Sequence, residues 1–89
     1  MNEERWEALA QVVLFDGLEI DAHVVRHRFG VDGWFAVATI DAVVAVSAGD
    51  SIRCTPGEHG EPFQGVVTNV TTHAGVSSPR ATSIRFEGA

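Results

Sequence analysis

The sequence predicts an all-β protein, a small six-stranded antiparallel barrel or sandwich preceded by a short N-terminal helix or arm over residues 1–11, with one barrel domain over residues 12–89. Three observations predict it. Short runs alternate apolar and polar residues, turn signals recur roughly every ten residues, and the stretch from Ala48 to Val70 reads as a β-hairpin. In that stretch Gly49-Asp50 leads into a strand in which Ile52 and Cys54 alternate with Ser51 and Arg53. Pro56-Gly57 through Gly60-Glu61-Pro62 then breaks the chain before Phe63, Gly65 and Val67 set one face of a second arm.

Taken in order, residues 2–11 have helical propensity, with Asn2 as a possible N-cap and Trp6, Leu9 and Ala10 at helical spacing. A helix this short is marginal alone, so the segment docks through Trp6 or reaches a neighbouring molecule. Val12 to Phe15 is a first strand, and Asp16-Gly17 predicts a tight turn into the second. From Leu18 the alternation is strict: Leu18, Ile20, Ala22 and Val24 share one face. Arg26 and Arg28 then take the apolar register, which predicts a bulge or bend near Val24-Val25. Trp34 to Asp41 is apolar on both faces, as expected of a strand covered on both sides, by the core and by the N-terminal segment or another subunit. Ala42 to Ser47 reads as a turn of helix or an irregular connection, 74–79 as a loop, and Arg80 to Glu87 as a last strand with Thr82, Ile84 and Phe86 inward.

Composition narrows the function. Eighty-nine residues make one domain with a thin stability margin. The formal charge is −6, and the six cationic residues are all arginines dispersed along the chain, which excludes a basic stripe for nucleic acid. No apolar run approaches the ~20 residues of a membrane-spanning helix, and the acidic start at Glu3 and Glu4 predicts synthesis in the cytosol without a secretory signal. Cys54 is alone and reads as a small buried strand residue.

Catalytic and metal constellations are weak. His23 and His27 have the i, i+4 spacing that binds zinc on a helix, but on a strand four residues span about 13 Å, too far for one ion. There is no Gly-x-Ser-x-Gly elbow and no phosphate loop, while Glu58, His59 and Glu61 read as a hydrated turn. The expectation is therefore a non-enzyme without cofactor or metal. Surface logic points to self-association: residues 1–21 are strongly acidic, and Arg26 and Arg28 follow, so the acidic segment of one copy can seat on the arginines of another. The contact residues expected are Trp6, Arg26, Arg28 and Trp34.

Phe15-Asp16-Gly17 with Ile20, Trp34-Phe35, Ala48-Gly49-Asp50 with Ile52 and Cys54, and Phe63, Gly65, Val67 and Val70 form a pattern over residues 12–72. It resembles the small barrel of bacteriophage tail and baseplate hub proteins and of the related type VI secretion spike proteins. Hub proteins are much longer, with more than one barrel, so the resemblance implies a smaller structural virion piece of tail, baseplate or connector, working as a ring of identical copies beside other virion proteins. A capsid decoration or head-completion protein shares the same features. A cellular adaptor barrel that binds a peptide along a strand edge is the third expectation.

Overall fold

The computed structural model describes residues 3–13, 17–29, 33–56, 61–74 and 80–88. They form six strands and no helix: β1 (Glu3–Val13), β2 (Glu19–Phe29), β3 (Gly33–Ile40), β4 (Ser51–Pro56), β5 (Phe63–His73) and β6 (Ala81–Gly88). All pairings are antiparallel, and the strands close into a barrel in the order β1-β2-β3-β6-β5-β4, sealed where β4 returns to β1. The all-β barrel expected from the sequence is the fold observed.

The inward positions explain the closure. Ala10, Val12, Ala22, Val24, Ala36, Ala38, Ile40, Ile52, Cys54, Val67, Ile84 and Phe86 form one buried cluster. Every strand but β5, which gives Val67 alone, contributes alternate residues to it, and the four alanines sit on adjacent strands, with Ala10 opposite Ala22. A six-stranded barrel has little internal width, so small residues along β1, β2 and β3 leave room for Phe86, Ile40, Ile52 and Ile84. At one end the connection from 41 to 50 covers the opening. Ala42, Val44 and Val46 pack on the core, the buried Thr82 hydroxyl donates to the Ala42 carbonyl at 2.7 Å, and the Ser47 amide donates to Asp50 Oδ2 at 2.9 Å. Of the two readings of 42–47, the irregular connection holds and the helical turn does not.

Three expectations are corrected, while the tight turn expected at Asp16-Gly17 involves Asp16, which lies outside the described residues; Gly17 itself has φ 84°, where a side chain would be strained. The N-terminal segment is no helix: β1 runs the full eleven residues from Glu3 and pairs along its whole length with β2. Trp6, Ala10 and Val12 sit at even positions, so a period of two lay beneath the helical spacing, and an eleven-residue ladder outweighs the local propensity. Second, β2 has no bulge near Val24-Val25, since its registers with β1 and with β3 run without a shift. Arg26 stays on the inward face instead. The barrel's irregularity lies in β5, between Val67 and Asn69, so that Val67 and Val70 both reach the core. Third, β1 does not lie across β3. It stands in the wall between β2 and β4, and the outward Phe35 is covered by the His27 ring, stacked at 4.9 Å, and by the Arg85 guanidinium at 4.1 Å.

Candidate functional site

The residues expected to make contacts converge, though not on the outer surface. Trp6 on β1, Arg26 on β2 and Trp34 on β3 all occupy even, inward positions near one mouth of the barrel, where Phe63 and Phe86 join them. The rings meet edge to face, Trp6 on Phe63 at 5.9 Å, Trp34 on Phe63 at 5.3 Å and Trp34 on Phe86 at 5.8 Å, an arrangement favoured by the ring quadrupoles. The Arg26 guanidinium lies 4.4 Å from the Phe63 ring centre and 5.8 Å from that of Trp34. An inward arginine on a strand is accommodated because its stem packs among apolar neighbours while its charge faces ring faces at a half-buried mouth. Arg28, two residues on, is exposed.

Two glycines make room for this cluster. Gly65 and Gly88 are opposite each other, and a Cβ on Gly88 would run into the Trp34 indole nitrogen, while one on Gly65 would strike the Glu87 carbonyl. Sequence reasoning placed Gly65 on the strand without seeing that a tryptophan from β3 crosses it.

The acidic and basic segments are neighbours in a single chain. β1 and β2 are paired so that Trp6 is opposite Arg26 and position 4 is opposite Arg28. The Glu7 carboxylate accepts from Arg5 at 3.2 Å and meets His23 Nε2 at 2.7 Å, both on the outer face. Seating of Glu7 on the arginines of a second copy therefore competes with partners it already has.

Outside the wall, a groove of about 270 Å³ runs past Leu9, Asp21, His23, Thr39, Asp41 and His73. No local pattern announces it, because its lining comes from residues distant along the chain. His73 Nδ1 is 2.9 Å from the Ala74 carbonyl, which can only accept, so Nδ1 is the donor there, and Nε2 lies 2.7 Å from the Ser83 hydroxyl. This orients a serine and a histidine, but acyl transfer also needs amides aimed at an oxyanion. Ser83 sits between Thr39 of β3 and Thr71 of β5, so its stretch of backbone is committed to ladders on both sides. His23 and His27 are separated along an extended strand, one on Glu7 and the other on Phe35. Among the described residues, no three of histidine, cysteine, aspartate or glutamate are placed to hold one metal ion.

Cys54 is fully buried on β4 between Val12 and Phe63. Burial pushes its thiol up to about 11, with the Arg26 charge pulling weakly the other way.

Among the described residues, apolar side chains also lie on the exterior. Val25, Phe35 and Val37 form a half-buried band on the outer face of β2 and β3, with Val25 directly opposite Val37. Leu9 on β1 is 76% exposed. Compared with known proteins, the chain matches no family model, no curated protein and no solved structure.

Proposed function

We propose that this chain is a structural virion protein of a bacteriophage, a tail, baseplate or connector component made in the host cytoplasm and assembled as a ring through protein–protein contacts, with no catalytic role. The observation that carries the assembly reading is the outward apolar band of Val25, Phe35 and Val37 together with the exposed Leu9. The interior is filled by side chains, so the surfaces available to a partner lie on the outer wall and at the mouth. The virion assignment rests on the resemblance over residues 12–72. Of its residues, Ile52, Cys54, Gly65 and Val67 are inward and buried here, and Gly49-Asp50 leads into β4 with hydrogen bonds to Val67.

Sedimentation across protein and salt concentration tests this. The expected result is an oligomer that persists at high salt, because its contact is apolar, and that dissociates in Val37→Asp, an outward substitution that leaves the core intact. A monomer at every concentration overturns the reading. It would favour the peptide-binding adaptor barrel.

A further inference from the structure

Of the six arginines, Arg26 alone is withdrawn from the surface; Arg5, Arg28, Arg53, Arg80 and Arg85 are exposed. What meets its guanidinium is aromatic, Phe63 at 4.4 Å and Trp34 at 5.8 Å, with Trp6 directly opposite on β1. The acids of the adjoining wall are taken on the outer face, Glu7 by Arg5 and His23 and Glu87 by Arg85, while Glu61, two residues before Phe63, is exposed. Among the described residues Arg26 therefore has neither an ion pair nor a hydrogen bond. Ring contact occupies the flat face of a guanidinium, whereas its five N–H donors lie in the plane, at the edges. Among the described residues no buried side-chain nitrogen or oxygen lacks a partner, so the unpartnered donors of this half-buried residue are not buried and reach water at the mouth. We propose that the mouth binds a carboxylate carried on an apolar stem, the guanidinium edge holding the carboxylate by two parallel hydrogen bonds while the rings cover the stem. The inference is independent of the assembly reading.

Charge and shape select this ligand over other anions. The guanidinium fork matches the two oxygens of one carboxylate, and a partly desolvated site makes such charge-assisted bonds stronger than they are in water. The chain carries a net charge of −6 and no lysine, so a doubly charged, strongly hydrated phosphate meets long-range repulsion and an apolar wall. Arg28, two residues nearer the rim, is exposed, and an exposed charge contributes little to holding a second negative charge. A carboxylate with no apolar body forgoes the ring contact that offsets the repulsion. The rings are set in advance: edge-to-face contacts join Trp6, Phe63 and Trp34, and the missing side chain at Gly88 lets the Trp34 indole lie against β6. Binding therefore orders little of the protein. Phe86 and the rest of the core fill the space behind, so the stem lies across the rim instead of entering the barrel, and the affinity expected is in the millimolar range.

Trp6 and Trp34 are the only tryptophans and both line the mouth, so intrinsic fluorescence reads the site directly. The full chain is titrated with phenylacetate, with phenylacetamide, which has the same stem and no charge, and with inorganic phosphate. Phenylacetate is expected to give a saturable change, roughly tenfold tighter than either of the others. Arg26→Met keeps an apolar stem and lowers the affinity for phenylacetate roughly tenfold, while Arg53→Gln, which removes an equal charge from the exposed face of β4, leaves it unchanged. A short peptide ending in phenylalanine forms the second arm: binding tighter than phenylacetate assigns the carboxylate to the end of a polypeptide, and equal or weaker binding assigns it to a small free acid. No saturable change in wild type, phenylacetamide bound as tightly as phenylacetate, or an Arg26→Met titration equal to wild type overturns the site. Phosphate bound as tightly as phenylacetate overturns the carboxylate assignment. Should Arg26→Met fail to fold, the comparison of phenylacetate with phenylacetamide in wild type decides by itself.

Discussion

Alkaline unfolding isolates one buried thiol. The sequence contains no lysine, no tyrosine and a single cysteine, so between pH 9 and 11 the titrating side chain is Cys54. Below its ordinary value of 9.0 the thiol is neutral in both folded and unfolded chains and has no effect on the balance. Above it the unfolded chain releases the proton, while burial in the barrel keeps the folded thiol protonated up to about 11. The unfolded state then binds fewer protons, so stability falls as pH rises, by about 1.4 kcal/mol per pH unit. Over that window the loss is about 2–3 kcal/mol, or roughly 10–20 °C in the midpoint for a domain of this size. Thermal unfolding followed by circular dichroism at intervals from pH 8 to 11.5 measures it. Cys54→Ala is expected to be less stable at every pH, because it leaves a small void, but to keep a level midpoint between pH 9 and 11. Wild-type and variant curves that fall in parallel would refute the assignment of the slope to this thiol, and a level wild-type curve would refute its burial.

The mouth makes a sharp comparison of two arginines in one strand. Arg26→Ala loses about 1–2 kcal/mol of ring contact and about 1 kcal/mol of stem packing, together some 10–20 °C in the midpoint, whereas the exposed Arg28→Ala stays within about 0.5 kcal/mol of wild type. Chemical denaturation of both variants decides it, and equal stabilities would return Arg26 to the surface. Gly88→Ala should cost about 1–3 kcal/mol by driving a methyl into the Trp34 indole, seen as a lower denaturation midpoint with an unchanged slope. Thr82→Val removes the hydroxyl that holds Ala42 over the other end of the barrel and should cost about 1–2 kcal/mol, with faster hydrogen exchange confined to residues 41–50.

The central hairpin and the last strand were legible because one signal spoke for each: alternation in Ser51 to Cys54 and Thr82 to Phe86, bounded by glycine and proline. Residues 3–11 misled because two periods coexist there, and the choice between them is made by β2, eleven residues of partner that no local rule can see. Arg26 misled for a related reason. A charged residue on an apolar face was read as a change of face, when the face continues and the charge is met by Phe63 and Trp34 from other strands. The β5 shift was invisible because Thr68 gives no glycine signal; its hydroxyl instead donates to the Arg85 carbonyl at 3.3 Å. Trp6, Arg26 and Trp34 were singled out as contacts to another copy, and their meeting inside one barrel mouth, like the groove and its His73–Ser83 bond, needed the closed wall to bring them together.

Assembly and stability are linked. An oligomer built on the outer band of Val25, Phe35 and Val37 would bind the folded form alone, because unfolding takes apart the two strands that make the band. Mass action would then make the unfolding midpoint rise with protein concentration in wild type and remain constant in Val37→Asp. A wild-type midpoint that does not move with concentration would overturn assembly through this band, and a rise that Val37→Asp leaves intact would move the contact to another surface.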